Sequence, residues 1–566
     1  MGAEGPESGF TIAPEAAVLG PRNAGRRGKR LKEHEQRQRN LFQDGVTGGA
    51  IGGEYARDYF VSNDGNGLAG TDLHDASFDD GNGAEPDGAL HGTTGGRGAA
   101  DAADHERIEL MKGKRMNGVA RGWRVVWVVS GLAGMAAGQT LTTLHSFDGR
   151  NGADPGVALV QELNGDLYGT TTYGGSAQSG TIFRVTQQGG FQKVYDFPSG
   201  TYDSALTVVS NGTLYGTTVV VAGPTVSGTL FKMLPGGTPQ TIHNFDSTEG
   251  QPGGGVVQGF NGMFYGFASM PFPAKGIIYE SMPDGTVTIL HAFSGSDGWA
   301  PVQGLTQGTD RRLYGATYWG GAYGSGAVFN MKLDGVFTLL YSFNENGGTS
   351  WSPQSALVEG NDGNFYGVTG GGPTYAGTVF QITPAGVMTT LHWFGGVDDG
   401  SNPSSALVLG SDGNFYGTTP DGGVPSDKGT VFRISADGAL TTLHTFNGPD
   451  GAKPYGGLVQ ATDGNFYGTT SAGGGSNYGT VFRLSVGLGP FVKAVPWFGK
   501  AGAKVAIIGT DLTGATSVTF NGTAAAFTVV SPTEIQTTVP AGASTGVLQV
   551  VTPGGTLAGN VAFQVL

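Results

Sequence analysis

Histidines are the first residues to test for chemistry. His145, His243, His291, His392 and His444 recur at one position of a repeating text, and Tyr195 and Tyr341 fill that position in the other two copies. A metal or catalytic set must converge on one point. Side chains spread one per repeat and exchanged for tyrosine read instead as structural, each a flat polar ring bonding the neighbouring unit. The Asp-Gly-Asn triplets, such as Asp412-Gly413-Asn414, invite a calcium reading. Yet their first position becomes Asn164, Asn211 or Asn261, and Asp310 is followed by Arg311 and Arg312. Calcium takes about six to eight converging oxygens, whereas these triplets offer one side chain apiece and read as turns. Gly473-Gly474-Gly475 lacks the following helix that a phosphate loop requires. There is no cysteine, so thiolate metal sites, disulfides and a Cys nucleophile are excluded. His-Glu-x-x-His does not occur, and no carboxylate pair is placed for glycoside chemistry. The sequence assigns no catalytic residue, no metal ligand and no cofactor.

The elements that must position any site come from a repeat of about fifty residues. Its clearest mark is a Tyr-Gly pair at Tyr168, Tyr215, Tyr265, Tyr314, Tyr366, Tyr416 and Tyr467. Each unit reads Leu-His-x-Phe, a Gly/Asp/Pro loop, a short apolar run, Asp-Gly-Asn-Phe-Tyr-Gly-Thr-Thr, a Gly-Gly loop and Gly-Thr-Val-Phe. Glycine makes up 105 of the 566 residues, against about 7% in ordinary chains, and its periodic placement argues turns rather than disorder. In the sixth unit the strand-like runs are Ser405–Leu409, Asn414–Thr419, Gly429–Ser435 and Leu440–Phe446, bounded by turn signals such as Asp437-Gly438. The expectation is an all-β chain: a seven-bladed β-propeller with four strands per blade over 139–487. The repeat opens on a lone fourth strand, Leu141–Phe147, and closes on a third, Gly479–Ser485. The last blade is therefore expected to be completed by the first strand, which removes an open sheet edge.

In such a blade the loops joining strands 4→1 and 2→3 emerge on one face, and these are the variable ones. Asp297 and Trp299 lie in one 4→1 loop, Tyr318, Trp319 and Tyr323 in the 2→3 loop of that blade, and Trp351 in the next 4→1 loop. Exposed rings beside a carboxylate could stack on sugars or anchor a protein, so these six residues are the candidate ligand-binding set. Caps on the blade cores are the plainer alternative.

The repeat resembles the GloVer-type tandem repeat, carried by Gly-Asn-Phe-Tyr-Gly-Thr-Thr, the Gly-Gly loop and Gly-Thr-Val-Phe at 413–432 and 464–482. The third copy departs most, with Tyr265-Gly266-Phe267-Ala268. That resemblance implies an exported bacterial protein and no settled activity. After Gly489-Pro490 the repeat stops. Residues 490–566 show alternating strands, including Lys504–Ile508 and Ser517–Phe520, and the phrases Gly509-Thr510-Asp511-Leu512, Val518-Thr519-Phe520-Asn521-Gly522 and Val539-Pro540-Ala541-Gly542. They resemble an IPT/TIG domain, which implies a small immunoglobulin-like β-sandwich acting as spacer or adhesion unit.

Residues 1–115 carry a basic cluster at Arg26–Lys32 and Gly/Asp-rich text without apolar periodicity, and read as a disordered or over-extended leader. From Met116, the basic Arg121 and Arg124, the apolar run Val125–Ala137 and small residues before Gln139 read as a signal peptide over 116–138, with translation starting at Met111 or Met116. That run falls short of the about 20 residues a membrane helix needs, so no span is expected in the mature chain. A net charge of −14 with 13% charged residues argues against nucleic acid as partner. The reading is a secreted or cell-surface, non-enzymatic binding or adhesion protein whose propeller face takes a carbohydrate or a surface protein. Two other readings stay open: an extracellular propeller enzyme acting on polysaccharide as lyase or hydrolase, and a purely structural envelope component.

Overall fold

Each Asp-Gly-Asn-Phe-Tyr-Gly phrase builds one hairpin and one junction. Asp362, Asp412 and Asp463 accept the amide two residues on, closing the turn, and the tyrosine four residues on donates its hydroxyl to the same carboxylate at 2.7–2.9 Å. The tyrosine ring then packs against the aromatic residue of the next repeat. The pairs Tyr215–Phe264, Tyr314–Phe365, Tyr366–Phe415 and Tyr416–Phe466 lie between 3.6 and 4.2 Å apart. The glycine after the tyrosine is obligatory for space. A Cβ on Gly417 would come within 2.6 Å of Phe432, the phenylalanine of Gly-Thr-Val-Phe that crosses it.

The computed structural model describes residues 139–222, 225–269, 275–345 and 350–566. The expected leader and signal peptide lie outside the described residues. No α-helix occurs among the latter, so none there is long and apolar enough to cross a membrane. Among the described residues seven antiparallel sheets follow one another, the first six each a meander in chain order. Sheets I to VI span 160–196, 201–245, 251–292, 299–342, 351–393 and 408–445, and sheet VII spans 459–485. In sheets IV and V the first strand is split, into Trp299–Pro301 with Thr306–Gln307 and Trp351–Pro353 with Val358–Glu359. Sheet VII has only three strands of its own. Its fourth is Thr140–Ser146, which pairs antiparallel with Thr480–Ser485 from Thr140↔Ser485 to Ser146↔Thr480.

Apolar clusters sit between consecutive sheets. Sheets V and VI share Tyr366, Val379, Leu407 and Phe432, and sheets VI and VII share Tyr416, Val431, Phe466 and Leu484. Phe147, Leu167 and Phe183 pack with Tyr467 and Val481, which joins the last sheet to the first. The arrangement is propeller-like, with sheets in sequence meeting face to face.

Two further four-stranded sheets follow. One orders Lys493–Val495, Lys504–Ile508, Glu534–Thr538 and Phe527–Ser531; the other orders Thr523–Ala524, Ser517–Phe520, Leu548–Thr552 and Gly555–Ala558. Val505, Ile507 and Ile535 of the first face Val518, Phe520, Leu548 and Val550 of the second in one core. This layer pair sits on the strand 1→2 turns of the repeat sheets. Leu163 packs on Ala506 and Ile508, Phe260 meets Phe498 edge-on at 4.6 Å, and Phe491 donates its amide to the Thr462 carbonyl at 3.0 Å.

The repeated histidine behaves differently from expectation. Its Nε2 is bonded within its own loop: His243 to Glu249, His291 to Asp297, His392 to Asp399 and His444 to Asp450, at 2.9–3.0 Å. His145 pairs likewise with Asn151. The neighbouring sheet supplies a stacking surface instead: Phe191 lies flat on His145 at 3.6 Å and Phe337 on His291 at 4.0 Å. The carboxylate six or seven residues on folds back onto the ring, so the polar edge of the imidazole is satisfied within its own loop.

Candidate functional site

The segment entering sheets I, IV, V, VI and VII from the sheet before repeats a rigid four-residue frame. It reads Gly152-Ala153-Asp154-Pro155, Gly298-Trp299-Ala300-Pro301, Ser350-Trp351-Ser352-Pro353, Gly400-Ser401-Asn402-Pro403 and Gly451-Ala452-Lys453-Pro454. Gly298 and Gly451 have φ of +138° and +131°, and a Cβ there would lie 2.6 Å from Thr317 or Thr470. The residue before proline is left-handed every time, at φ 54–58° for Asp154, Ala300, Ser352, Asn402 and Lys453. Its amide donates to a carbonyl in the preceding sheet's 2→3 loop, as Ala300 does to Lys275 and Lys453 to Lys428. That contact holds the strained conformation.

The frame fixes where the second residue points, and it pairs with the end of strand 2. The pairs are Ala153↔Tyr173, Ser401↔Asp421 and Ala452↔Ala472 in sheets I, VI and VII, but Trp299↔Trp319 in sheet IV and Trp351↔Gly371 in sheet V. Since sheet VII closes the same bridge with two alanines, the scaffold does not require the tryptophans.

Around them the aromatic surface continues. The Lys275 ammonium lies 3.8 Å from the ring centroid of half-buried Trp299. Trp319 is 41% exposed, with Tyr318 edge-on to it at 4.7 Å. Tyr323, in the 2→3 loop of sheet IV, is 60% exposed. Trp351 covers Gly371 so closely that a Cβ there would collide with the indole, and Tyr375 stands edge-on to it at 5.6 Å. Tyr375, 76% exposed, was not among the expected residues. Its signal was its place in the 2→3 loop of sheet V, the loop that carries Tyr323 one sheet earlier.

Asp297 does not join this surface chemically. Oδ2 accepts from His291, and Oδ1 accepts from the Ser294 amide and hydroxyl at 2.8 Å. Burial pushes its carboxyl up, but the Ser294 donors and His291 outweigh this and hold it below the usual carboxylate range. It is one copy of the loop lock seen at Glu249, Asp399 and Asp450.

Titratable groups elsewhere are similarly committed. Burial raises the Tyr366 hydroxyl to about 12, with its bond to Asp362 adding to the effect, and Tyr314 and Tyr416 are raised for the same reasons. These phenols serve turns on the side facing residues 490–566 and stay protonated, which makes them poor proton donors. No group of three His, Asp or Glu among the described residues is placed to hold a metal. The arrangement offers flat aromatic faces and one lysine, which is the chemistry of stacking.

Matches to the Gloeobacter/Verrucomicrobia repeat cover residues 132–274, 223–398 and 349–529, well over half of the chain. The chain belongs to this repeat family. No curated protein matches it. Among solved structures, a streptogramin B lyase is 15% identical, with a TM-score of 0.43 over 61% of this chain and 97% of its own. A virginiamycin B lyase from Staphylococcus aureus is 14% identical, with a TM-score of 0.44 over 62% and 99%. The extracellular domain of a hybrid two-component system from B. thetaiotaomicron is 11% identical, with a TM-score of 0.43 over 66% and 46%.

Proposed function

We propose that this protein is an exported or cell-surface carbohydrate-binding protein without catalytic activity. Its ligand lies on the face formed by the 4→1 and 2→3 loops of sheets IV and V. In this reading 1–115 is a leader, 116–138 a signal peptide, 139–487 a closed seven-bladed propeller and 490–566 an IPT/TIG immunoglobulin-like domain. Closure is supported by the pairing of Thr140–Ser146 with Thr480–Ser485 and by the shared core of the first and last sheets.

The observation that carries the binding reading is the substitution pattern within one frame: Trp299, Trp319 and Trp351 where sheet VII has Ala452 and Ala472. Leaving large rings half in water has a cost that folding alone would not select. Indole and phenol faces stack on the C–H faces of sugar rings, and their hydroxyl and N–H edges bond sugar hydroxyls. Residues 490–566 occupy the opposite turns, which leaves this face for the ligand.

The test is binding of the protein to a broad polysaccharide panel with product formation followed in parallel, beside a Trp299→Ala, Trp319→Ala, Trp351→Ala variant. Binding without turnover, lost in the variant, supports the reading. Turnover replaces it with the lyase or hydrolase reading, and no binding removes the carbohydrate.

A further inference from the structure

The junction between sheets VI and VII repeats the backbone contacts of the one between sheets III and IV, with the pair Ala452 and Ala472 where the latter carries Trp299 and Trp319. In both, a lysine carbonyl accepts the amide of the left-handed residue: Lys275 from Ala300 at 3.1 Å, Lys428 from Lys453 at 2.9 Å. In both, a glycine carbonyl accepts a Gly-Gly loop amide: Gly295 from Gly321 at 2.9 Å, Gly448 from Gly474 at 2.8 Å. Both lysine stems pass over that same glycine. A Cβ on Gly295 would lie 3.6 Å from Cε of Lys275, and one on Gly448 would lie 3.2 Å from Cε of Lys428. At the first junction an indole fills the space beneath the ammonium. At the second, the residue in Trp299's place is Ala452, paired with Ala472.

An open cavity of about 400 Å³ results, lined by Lys428, Gly448, Pro449, Ala452, Gly473 and Asn477. At two other junctions a ring of the chain itself takes part of this space. Trp351 lies under Tyr375 between sheets IV and V, and Tyr478 covers Gly149 between sheets VII and I, a Cβ there lying 3.3 Å from its ring. Lys428 has no ion pair among the described residues, so its ammonium is available to the face of a ring.

We propose that this slot receives a tryptophan side chain from an exposed segment of a protein partner, seated where Trp299 sits in its own junction, with Lys428 over its face. The ring would be held by apolar contact with Pro449 and Ala452 and by attraction of the ammonium to its π face. The proposal concerns a different junction from the carbohydrate face and stands without it.

The test uses the full chain and N-acetyl-L-tryptophanamide, followed by ligand-observed saturation-transfer NMR and calorimetry. Saturable binding at one site is expected. Ala452→Trp, which reproduces the residue sheets IV and V carry at this position, should fold and abolish binding. Lys428→Met keeps the stem and removes the charge; it should weaken binding about two- to five-fold, the range for an exposed cation–π contact. The N-acetyl-cyclohexylalaninamide probe, of similar apolar size but without a π face, should bind correspondingly more weakly. No saturable binding, binding unchanged in Ala452→Trp, or equal binding of the cyclohexyl probe overturns the proposal. Indole alone is the second probe; tighter binding of indole than of the capped residue would assign the slot to a free aromatic compound instead of a protein.

Discussion

Lys493 lies in the seam between the repeat sheets and residues 490–566, and its replacement by methionine gives a pH signature that follows from its surroundings. The ammonium donates to the Gln460 carbonyl and lies 5.3 Å from the centroid of Phe491. Burial lowers its pKa from 10.5 to about 8, with Asp463 opposing in part. At 1.36 kcal/mol per unit, that displacement represents about 3 kcal/mol. The sign follows from proton counting. Below pH 8 both folded and unfolded chains hold the proton, and the penalty of the buried charge is fully present. Between pH 8 and 10.5 the unfolded chain holds a proton that the folded chain has released, so stability rises with pH. Lys493→Met carries no such proton. The variant is expected to be more stable than wild type by about 1–2 kcal/mol at pH 7, once loss of the Gln460 hydrogen bond, about 1 kcal/mol, is subtracted. That advantage should shrink by about 2 kcal/mol by pH 9.5. Urea titrations and calorimetry of both proteins at the two pH values measure it, because all other titrating groups are shared. An advantage that stays constant between pH 7 and 9.5 would refute the buried-ammonium account of the seam.

Three other outcomes follow from the same geometry. Removing residues 139–147 leaves Thr480–Ser485 an open edge and empties the place of fully buried Phe147; the shortened protein should lose cooperative melting and form oligomers paired through that edge, visible by size-exclusion chromatography. Gly451→Ala forces a Cβ to within 2.6 Å of Thr470 at φ +131°, and should cost about 2 kcal/mol or more in chemical denaturation. The Asp450 carboxyl is raised by burial but lowered on balance by His444 and the Asn447 amide. It therefore stabilises the fold above pH about 4 and loses that contribution as pH falls further, so Asp450→Asn should be less stable at pH 7 and show a shallower acid transition in a pH-dependent melt.

The repeat was legible because each letter of its phrase has one local duty. Asp463 closes a turn and receives Tyr467, the tyrosine reaches across a junction, Gly468 makes room for Phe482, and the unit recurs until the pattern is unmistakable. Lys504–Ile508 and Ser517–Phe520 run where apolar alternation placed them. Gly555–Ala558 is a strand with a mostly exposed surface, so no apolar period announces it. The last strand is only Gln564–Val565. The candidate site was legible only in part. Tryptophans in variable loops drew attention to sheets IV and V, but cross-strand pairing of Trp299 with Trp319 depends on a register that only the folded frame sets. The engagement of Asp297 had a signal in the recurring six- or seven-residue spacing from histidine to carboxylate, as in His243/Glu249 and His392/Asp399. The seat of residues 490–566 on Phe260 and Leu163 had none, since two apolar side chains at turns look like ordinary exposed residues.

The most direct measurement pairs stability with binding in a variant that copies one sheet into another. Trp299→Ala with Trp319→Ala gives sheet IV the alanine pair that sheet VII already carries as Ala452 and Ala472. Thermal melting and affinity electrophoresis against the polysaccharide that wild type binds are then read side by side. The account predicts a melting transition as cooperative as wild type and a loss of at least about 100-fold in affinity, the size expected when two stacking rings of about 1.5 kcal/mol each are removed. A variant that still binds as wild type does, or one that no longer folds, would contradict it, since the tryptophans would then serve something other than the ligand or would be needed by the scaffold itself.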